Sequence, residues 1–409
     1  MDVDSHSVAI PSVNLPSTVT CLRSLGKKRL HTVLLTNGRP LPASASRYCT
    51  DVLQIPDPGD DVLEYRDRLL AIARREDVST IIPVREADVY VLSRYERAFE
   101  DHVSVVVPSF DALYSAHDRL RLNEVARKAG VPAPKTQRLS DVRRWDSGIV
   151  IKSRYNLLTS DYVDSYPTEK VNEVDDIEYH EPGSQPNVEA IRDRMDHDPI
   201  VQEFVPRESE FMFAGLYDHG TPLATYQHEQ IRGDSYVRGG GVYRKSTFDP
   251  ELETVARRLL AELDWHGLAC IEYIKDANTG EFKLLEINPR MWQSLASTVR
   301  AGADFPYYYW LQAMGRGEQI DCRYDLGVGA HFFHKEIGYL LSLIQDDAPL
   351  VERPALHAAL WAVTVSCVVD PHFDYLQWDD PRPFVRDLRN TIGRLLLCQS
   401  NQRGLANRS

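Results

Sequence analysis

Lysine is scarce in this sequence. Of 409 residues 10 are lysine against 37 arginine, and acidic side chains outnumber basic ones by 60 to 47, a formal net charge of −13. A chain of that sign is poorly suited to a nucleic acid or an anionic membrane as its main partner. Neither is expected, and any phosphate ligand must be met by a local basic cluster. The acidic, lysine-poor balance points to a salt-adapted cytoplasm and makes each lysine beside an apolar run worth attention. The six cysteines (Cys21, Cys49, Cys270, Cys322, Cys367, Cys398) show no C-x-x-C or other metal spacing, which reads as free thiols in a reducing compartment. The longest apolar run, "AALWAVTVSCVV" at 358–369, is too short to span a bilayer. "MDVDSHSVAI" lacks the basic and apolar regions of a secretory signal. With G-x-G-x-x-G, G-x-S-x-G and H-E-x-x-H all missing, dinucleotide binding, hydrolase triads and zinc proteases lose their main support. His331 and His334 in "AHFFHKE" carry no metal spacing either. The expectation is a soluble cytoplasmic protein of ordinary composition, 43% hydrophobic and 26% charged.

What is present falls into three stretches. From residue 7 to about 110, the β-rich runs "SVAIPS", "HTVLLT", "VLQIP", "TIIPV" and "SVVVPS" alternate with helical patterns such as "DDVLEYRDRLLAIARR" at 60–75. That alternation predicts a parallel sheet with helices on its faces. Next, "DRLRLNEVARKAG" at 118–130 reads as a helix capped by Asp118 and stopped at Gly130, and "GIVIKSRY" at 148–155 as a strand ending in Lys152. Residues 160–198 read as loop with a late helix at 187–196; two strands joined through Pro206 follow, then a third strand and a Gly-rich loop at 239–241, a helix at 250–264 and a hairpin. Beyond 318 the pattern is irregular, with helical stretches near 337–345 and 383–398. The expected organisation is an N-terminal α/β domain (1–112), an α+β domain (113–318, divided near 198/199) and a C-terminal extension (319–409).

The hairpin carries the chemistry. In "ACIEYIKDANTGEFKLLEINPR", a turn centred near Thr279 places Lys275 opposite Lys283 and Glu272 opposite Glu286, with Leu285 and Ile287 on one face and Glu286 and Asn288 on the other. Two bare carboxylates about 5 Å apart repel by about 3 kcal/mol at an effective dielectric near 20. A shared proton, a divalent cation held by Glu272, Glu286 and Asn288, or a register one residue different would each relieve that repulsion.

The order of a strand-end lysine (Lys152), "VQEFVPRESEF", a basic Gly-rich stretch and then "LLEINPR" with Glu272 upstream resembles the ATP-grasp superfamily across residues 7–316. The resemblance implies an ATP-grasp fold behind an N-terminal parallel-sheet domain, with two subdomains clamping ATP. It implies an ATP-dependent carboxylate-amine ligase acting on small-molecule acids and amines, with magnesium, or manganese in its place, on the nucleotide. Self-association into a homo-oligomer is left open. Carried over by position, Glu272, Glu286 and Asn288 would hold the metal. Arg119 and Lys152 would meet phosphate, Glu203, Phe204 and Val205 the adenine, and Glu210 (with Glu208 as competitor) the ribose. Arg290 would face the reacting groups, and Arg232, Gly240 and Arg244 would shape the acceptor pocket. One departure stands out: "KSRYNLLTSDYVDS" has no glycine where many members have a glycine-rich phosphate loop, leaving Ser153, Arg154 and Asn156 as the possible contacts.

Overall fold

The computed structural model describes residues 7–174, 176–237, 239–346, 348 and 350–393. The N-terminal alternation runs β1 (Ser7–Pro11), α1 (Pro16–Lys27), β2 (His31–Thr36), β3 (Asp51–Gln54), α2 (Val62–Ala73), β4 (Val78–Ile81), α3 (Glu86–Arg94) and α4 (Glu96–Glu100). The strands pair in parallel in the order β3-β2-β1-β4. "SVVVPS" does not become a fifth strand: only Ser104 bridges to Thr80, and the Val106 amide donates to the Tyr309 hydroxyl instead of to a neighbouring strand. Its valines earn their burial by packing rather than by pairing.

Two helices follow, α5 (Phe110–His117) and α6 (Arg119–Lys128), the second capped by the Asp118 carboxylate on Leu120 N and ended by Gly130 at φ +63°. The next sheet is antiparallel: β5 (Thr136–Arg138), β6 (Ile149–Lys152), β7 (Ile177–His180) and β8 (Ile200–Glu203), in the order β5-β8-β6-β7. Strand β7 lies in the stretch expected to be loop; its half-buried I-E-Y-H is an edge strand with little apolar signal. Ile149, Ile151 and Val201 pack against α7 (Val188–Met195), so the alternation of the strand turns Lys152 to the opposite face.

The largest sheet has six antiparallel strands in the order β13-β12-β9-β10-β11-β14. They are β9 (Arg207–Asp218), β10 (Thr221–Gly233), β11 (Gly241–Thr247), β12 (Gly267–Asp276), β13 (Phe282–Asn288) and β14 (Gly329–His331). One face packs on α6 and α8 (Pro250–Glu262) through Leu122, Leu259, Phe213 and Ile271. The other packs Met212, Ala214 and Cys270 against α1, α9 (Leu295–Arg300) and α10 (Phe305–Ala313). Because α1 belongs to the N-terminal sheet, that core is continuous from the first strand to the six-stranded sheet. The C-terminal part adds α11 (Phe333–Gln345), α12 (Leu356–Val369) and α13 (382–393). Helix α12 is the apolar run noted above, and the end of the expected 383–398 helix lies outside the described residues. Among the described residues no helix is long and apolar enough to cross a membrane.

Candidate functional site

Strands β12 and β13 bring Glu272 opposite Glu286, as the sequence predicts, and Cys270 opposite Asn288. The register then shifts at Leu285, so Tyr273 pairs with Leu284, Ile274 with Lys283 and Lys275 with Phe282. The expected Lys275–Lys283 pair is therefore corrected: a bulge inserts one residue and re-aims every side chain beyond it. Lys283 instead meets Asp276 at 2.7 Å and Glu203 at 3.5 Å. The same bulge makes Phe282, Leu284 and Ile287 the apolar face, with Leu285 only half-buried.

Glu286 is the centre of a dense cluster. Asn288 Nδ2 donates to its Oε1 at 3.0 Å, and Arg119 Nη2 to its Oε2 at 2.6 Å. Asp118 caps α6, which puts Arg119 at the first helical position, turned toward β13 rather than solvent. Burial works against the Glu286 charge, but Arg119 and Lys152 outweigh it and hold the carboxyl at about 2. Glu272 behaves oppositely: burial, then Glu286 and Glu210, push its carboxyl up to about 8. The facing pair thus keeps one charge and sheds the other. Around it, Arg119 Nε and Asn156 Oδ1 are buried with no hydrogen-bond partner among the described residues, although Asn156 Nδ2 donates to Ile287 O at 3.2 Å. Oxygen donors from Glu272, Glu286 and Asn288, with orphaned polar atoms beside them, fit a hard divalent cation and phosphate oxygens.

Lys152 ends β6 above this cluster, 8% exposed. Burial, then the Arg119 charge, lowers its ammonium to about 7, with Glu286 and Glu272 partly opposing. A lysine lowered in the folded state is mostly neutral at pH 8, and a polyanionic nucleotide beside it restores its charge. ATP binding at pH 8 is therefore expected to take up protons, read by calorimetry in buffers of different ionisation enthalpy. Lys152→Ala should remove that uptake and weaken ATP binding by about 1.5 to 3 kcal/mol, the scale of a charge-assisted contact. An unchanged dissociation constant would place the phosphate site elsewhere.

Arg290 follows Pro289 beyond β13, and its Nε lies 2.7 Å from Glu86 Oε1 at the start of α3. The other Glu86 oxygen is 3.1 Å from His117 Nε2, whose Nδ1 is 3.1 Å from the Tyr162 hydroxyl. Burial disfavours the Arg290 charge, and Glu86 and Glu173 more than compensate, raising its pKa. Glu86 and His117 were invisible in the sequence, since an acidic residue in the first turn of a helix has an ordinary explanation. The Met291 amide donates to Pro83 O at 3.1 Å, tying the segment after Arg290 to the same N-terminal loop.

The remaining expected residues are placed as follows. Glu203, Phe204 and Val205 form the link from β8 to β9; Phe204 N donates to Gly148 O at 3.0 Å, and a cavity of about 540 Å³ opens beside Gly148, Glu203 and Phe204. Glu210 accepts from Arg207 and from Gln230 across β9 and β10, while Glu208 is exposed. Arg232 is buried against Glu336 at 2.8 Å, and Arg244 is buried against Asp374. Gly240 is exposed, and a side chain there would meet the Gln293 amide. After Lys152, Arg154 forks onto Asp118 at 2.6 and 3.0 Å, and Ser153 donates to Tyr155 O at 2.7 Å. Leu157 and Tyr162 bury themselves among the N-terminal helices. This stretch is anchored by its apolar and aromatic side chains.

No curated protein sequence matches the chain. A family model described as ATP-grasp in the biosynthetic pathway with Ter operon matches residues 235–329, which contain Glu272, Glu286, Asn288 and Arg290. Among solved structures, an ADP complex of N5-carboxyaminoimidazole ribonucleotide synthetase is similar at 14% identity and a TM-score of 0.57, over 91% of this chain and 99% of that one. L-amino acid ligase from Bacillus licheniformis is similar at 14% identity and a TM-score of 0.53, over 78% and 77%. Pyruvate carboxylase from Rhizobium etli is similar at 16% identity and a TM-score of 0.56, over 78% of this chain, which spans only 29% of that protein. With the parallel N-terminal sheet, the two antiparallel sheets and the Glu272–Glu286–Asn288 cluster between them, this chain has the ATP-grasp fold, and its residues 235–329 match an ATP-grasp family model.

Proposed function

We propose that the chain is an ATP-dependent carboxylate-amine ligase, which forms an amide through an acyl phosphate and releases ADP and phosphate. The observation that carries this reading is the opposed Glu272–Glu286 pair with Asn288 at its side. Glu272, Glu286 and Asn288 are the residues that would hold magnesium, or manganese in its place, and the ion would neutralise charge on the non-bridging phosphate oxygens. Arg119 and Lys152 meet the phosphates from the opposite side, the link at Glu203, Phe204 and Val205 recognises adenine through its backbone, and Glu210 accepts from the ribose hydroxyls. Arg290, held by Glu86, presents its guanidinium where the γ-phosphate meets the attacking carboxylate. Gly240 contributes backbone to the acceptor wall. Arg232 and Arg244 position that wall through Glu336 and Asp374.

The similarity to L-amino acid ligase and to an ADP-bound synthetase supports this reading at the level of the fold. A screen for ADP release over amino acids, small peptides and dicarboxylates tests it. A second reading, an ATP-binding regulatory module without turnover, draws on the anchored stretch after Lys152, which has no glycine loop to fold over phosphate. Binding of magnesium-ATP without ADP release above background, for every acid and amine offered, would favour that module. ADP release that depends on an acid but on no amine would indicate a different acceptor.

A further inference from the structure

We infer that the outer face of α11 and α12 is the self-association surface of a two-fold homodimer. Helix α12 has no charged residue and is apolar nearly all round, yet only Ala359 and Ser366 of it are buried. A helix of that composition belongs in an interior. Here Leu360, Trp361, Val365 and Val368 face solvent, Trp361 at 71% and Val368 at 75% exposure. Beside it α11 buries Tyr339 and Leu343 but leaves Ile337, Leu341 and Ile344 open.

The area and the charge both select the occupant. Ten large apolar side chains are exposed on the two helices. At roughly 80 Å² apiece they present on the order of 800 Å², more than the few hundred Å² that monomers usually leave open and about one partner's share of a standard interface. A two-fold interface sets a patch against itself, so a charged patch would meet its own charge, whereas an uncharged one meets no such conflict. A lipid surface fits less well, because an interfacial helix needs a rim of Lys and Arg. The whole chain is negative, and the segment between α11 and α12 carries Asp346, Asp347 and Glu352 against the single basic residue Arg353. Residues 394–409, outside the described part, hold only four leucines as large apolar side chains, too few to cover ten.

Sedimentation equilibrium of the full chain at about 1 to 50 µM, the range in which standard-size interfaces begin to associate, should give twice the chain mass of 46.6 kDa. The double substitution Trp361→Glu, Val368→Glu should return it to the monomer mass with an unchanged circular dichroism spectrum. If the glutamates disturb folding, Ile344→Gln with Val365→Gln gives the same readout. A wild type of monomer mass at the highest concentration overturns the inference, and so does a folded variant that stays dimeric. Wild-type monomer that floats with phosphatidylcholine vesicles also overturns it, in favour of lipid.

Discussion

Glu286→Gln is expected to abolish magnesium-dependent ADP release, by about 100-fold or more, the scale of losing one preorganised electrostatic stabiliser, while the chain stays folded. The substitution is nearly isosteric, so Asn288 keeps a hydrogen-bond partner and β13 keeps its register. Two electrostatic changes oppose each other. Arg119 loses the anion it now touches at 2.6 Å, and Glu272 loses the like charge that helps push its carboxyl up to about 8. Net stability should therefore move little, and thermal melting measured beside ADP release separates a lost metal site from a lost fold. The folded-state carboxyl of Glu286 lies below its ordinary value, so its favourable contribution is present above about pH 4.5 and is lost only as pH falls toward 2. At neutral pH the measurement reports the charged form. Wild-type turnover in the variant would refute the assignment of the metal to this pair.

Arg290→Lys should lower the turnover number about 100-fold or more while changing the ATP dissociation constant only a few-fold. Lysine keeps the positive charge and can still pair with Glu86, but it lacks the planar fork that bridges a carboxylate and a phosphoryl group. An interaction made mainly in the transition state appears in kcat rather than in ground-state binding. The Glu86 contact supplies the control. If Arg290 only fastens the end of β13 to α3, then Arg290→Lys and Glu86→Gln should both lower the melting temperature and ATP affinity together, with no selective loss of turnover. A selective loss in Arg290→Lys, alongside a melting loss confined to Glu86→Gln, is the expected result.

Much of the candidate site was legible because it is local. Glu272, Glu286 and Asn288 lie on two strands joined by one turn, so alternation and turn chemistry suffice to bring them together. Lys152 at a strand end and Arg119 after an Asp cap were visible for the same reason. Even there one inserted residue mattered: the bulge at Leu285 left the glutamate pair intact but broke the lysine pair beyond it, and no simple period announces a bulge.

Hydrophobic period and turn residues within about thirty positions are enough to specify the alternating N-terminal units, the capped helix before the small sheet and the carboxylate hairpin. The groups that hold these pieces together are set by long-range packing instead. Arg119 reaches Glu286 across 167 positions, Arg290 reaches Glu86, and Arg244 is buried against Asp374. Tertiary packing also decided that α12, read only as a run too short for a membrane, would stand apolar and open on the surface. The physical reason is common to these cases: a buried charge must find its counter-charge wherever the fold puts one, and an apolar face is covered or left bare by elements far away in the chain.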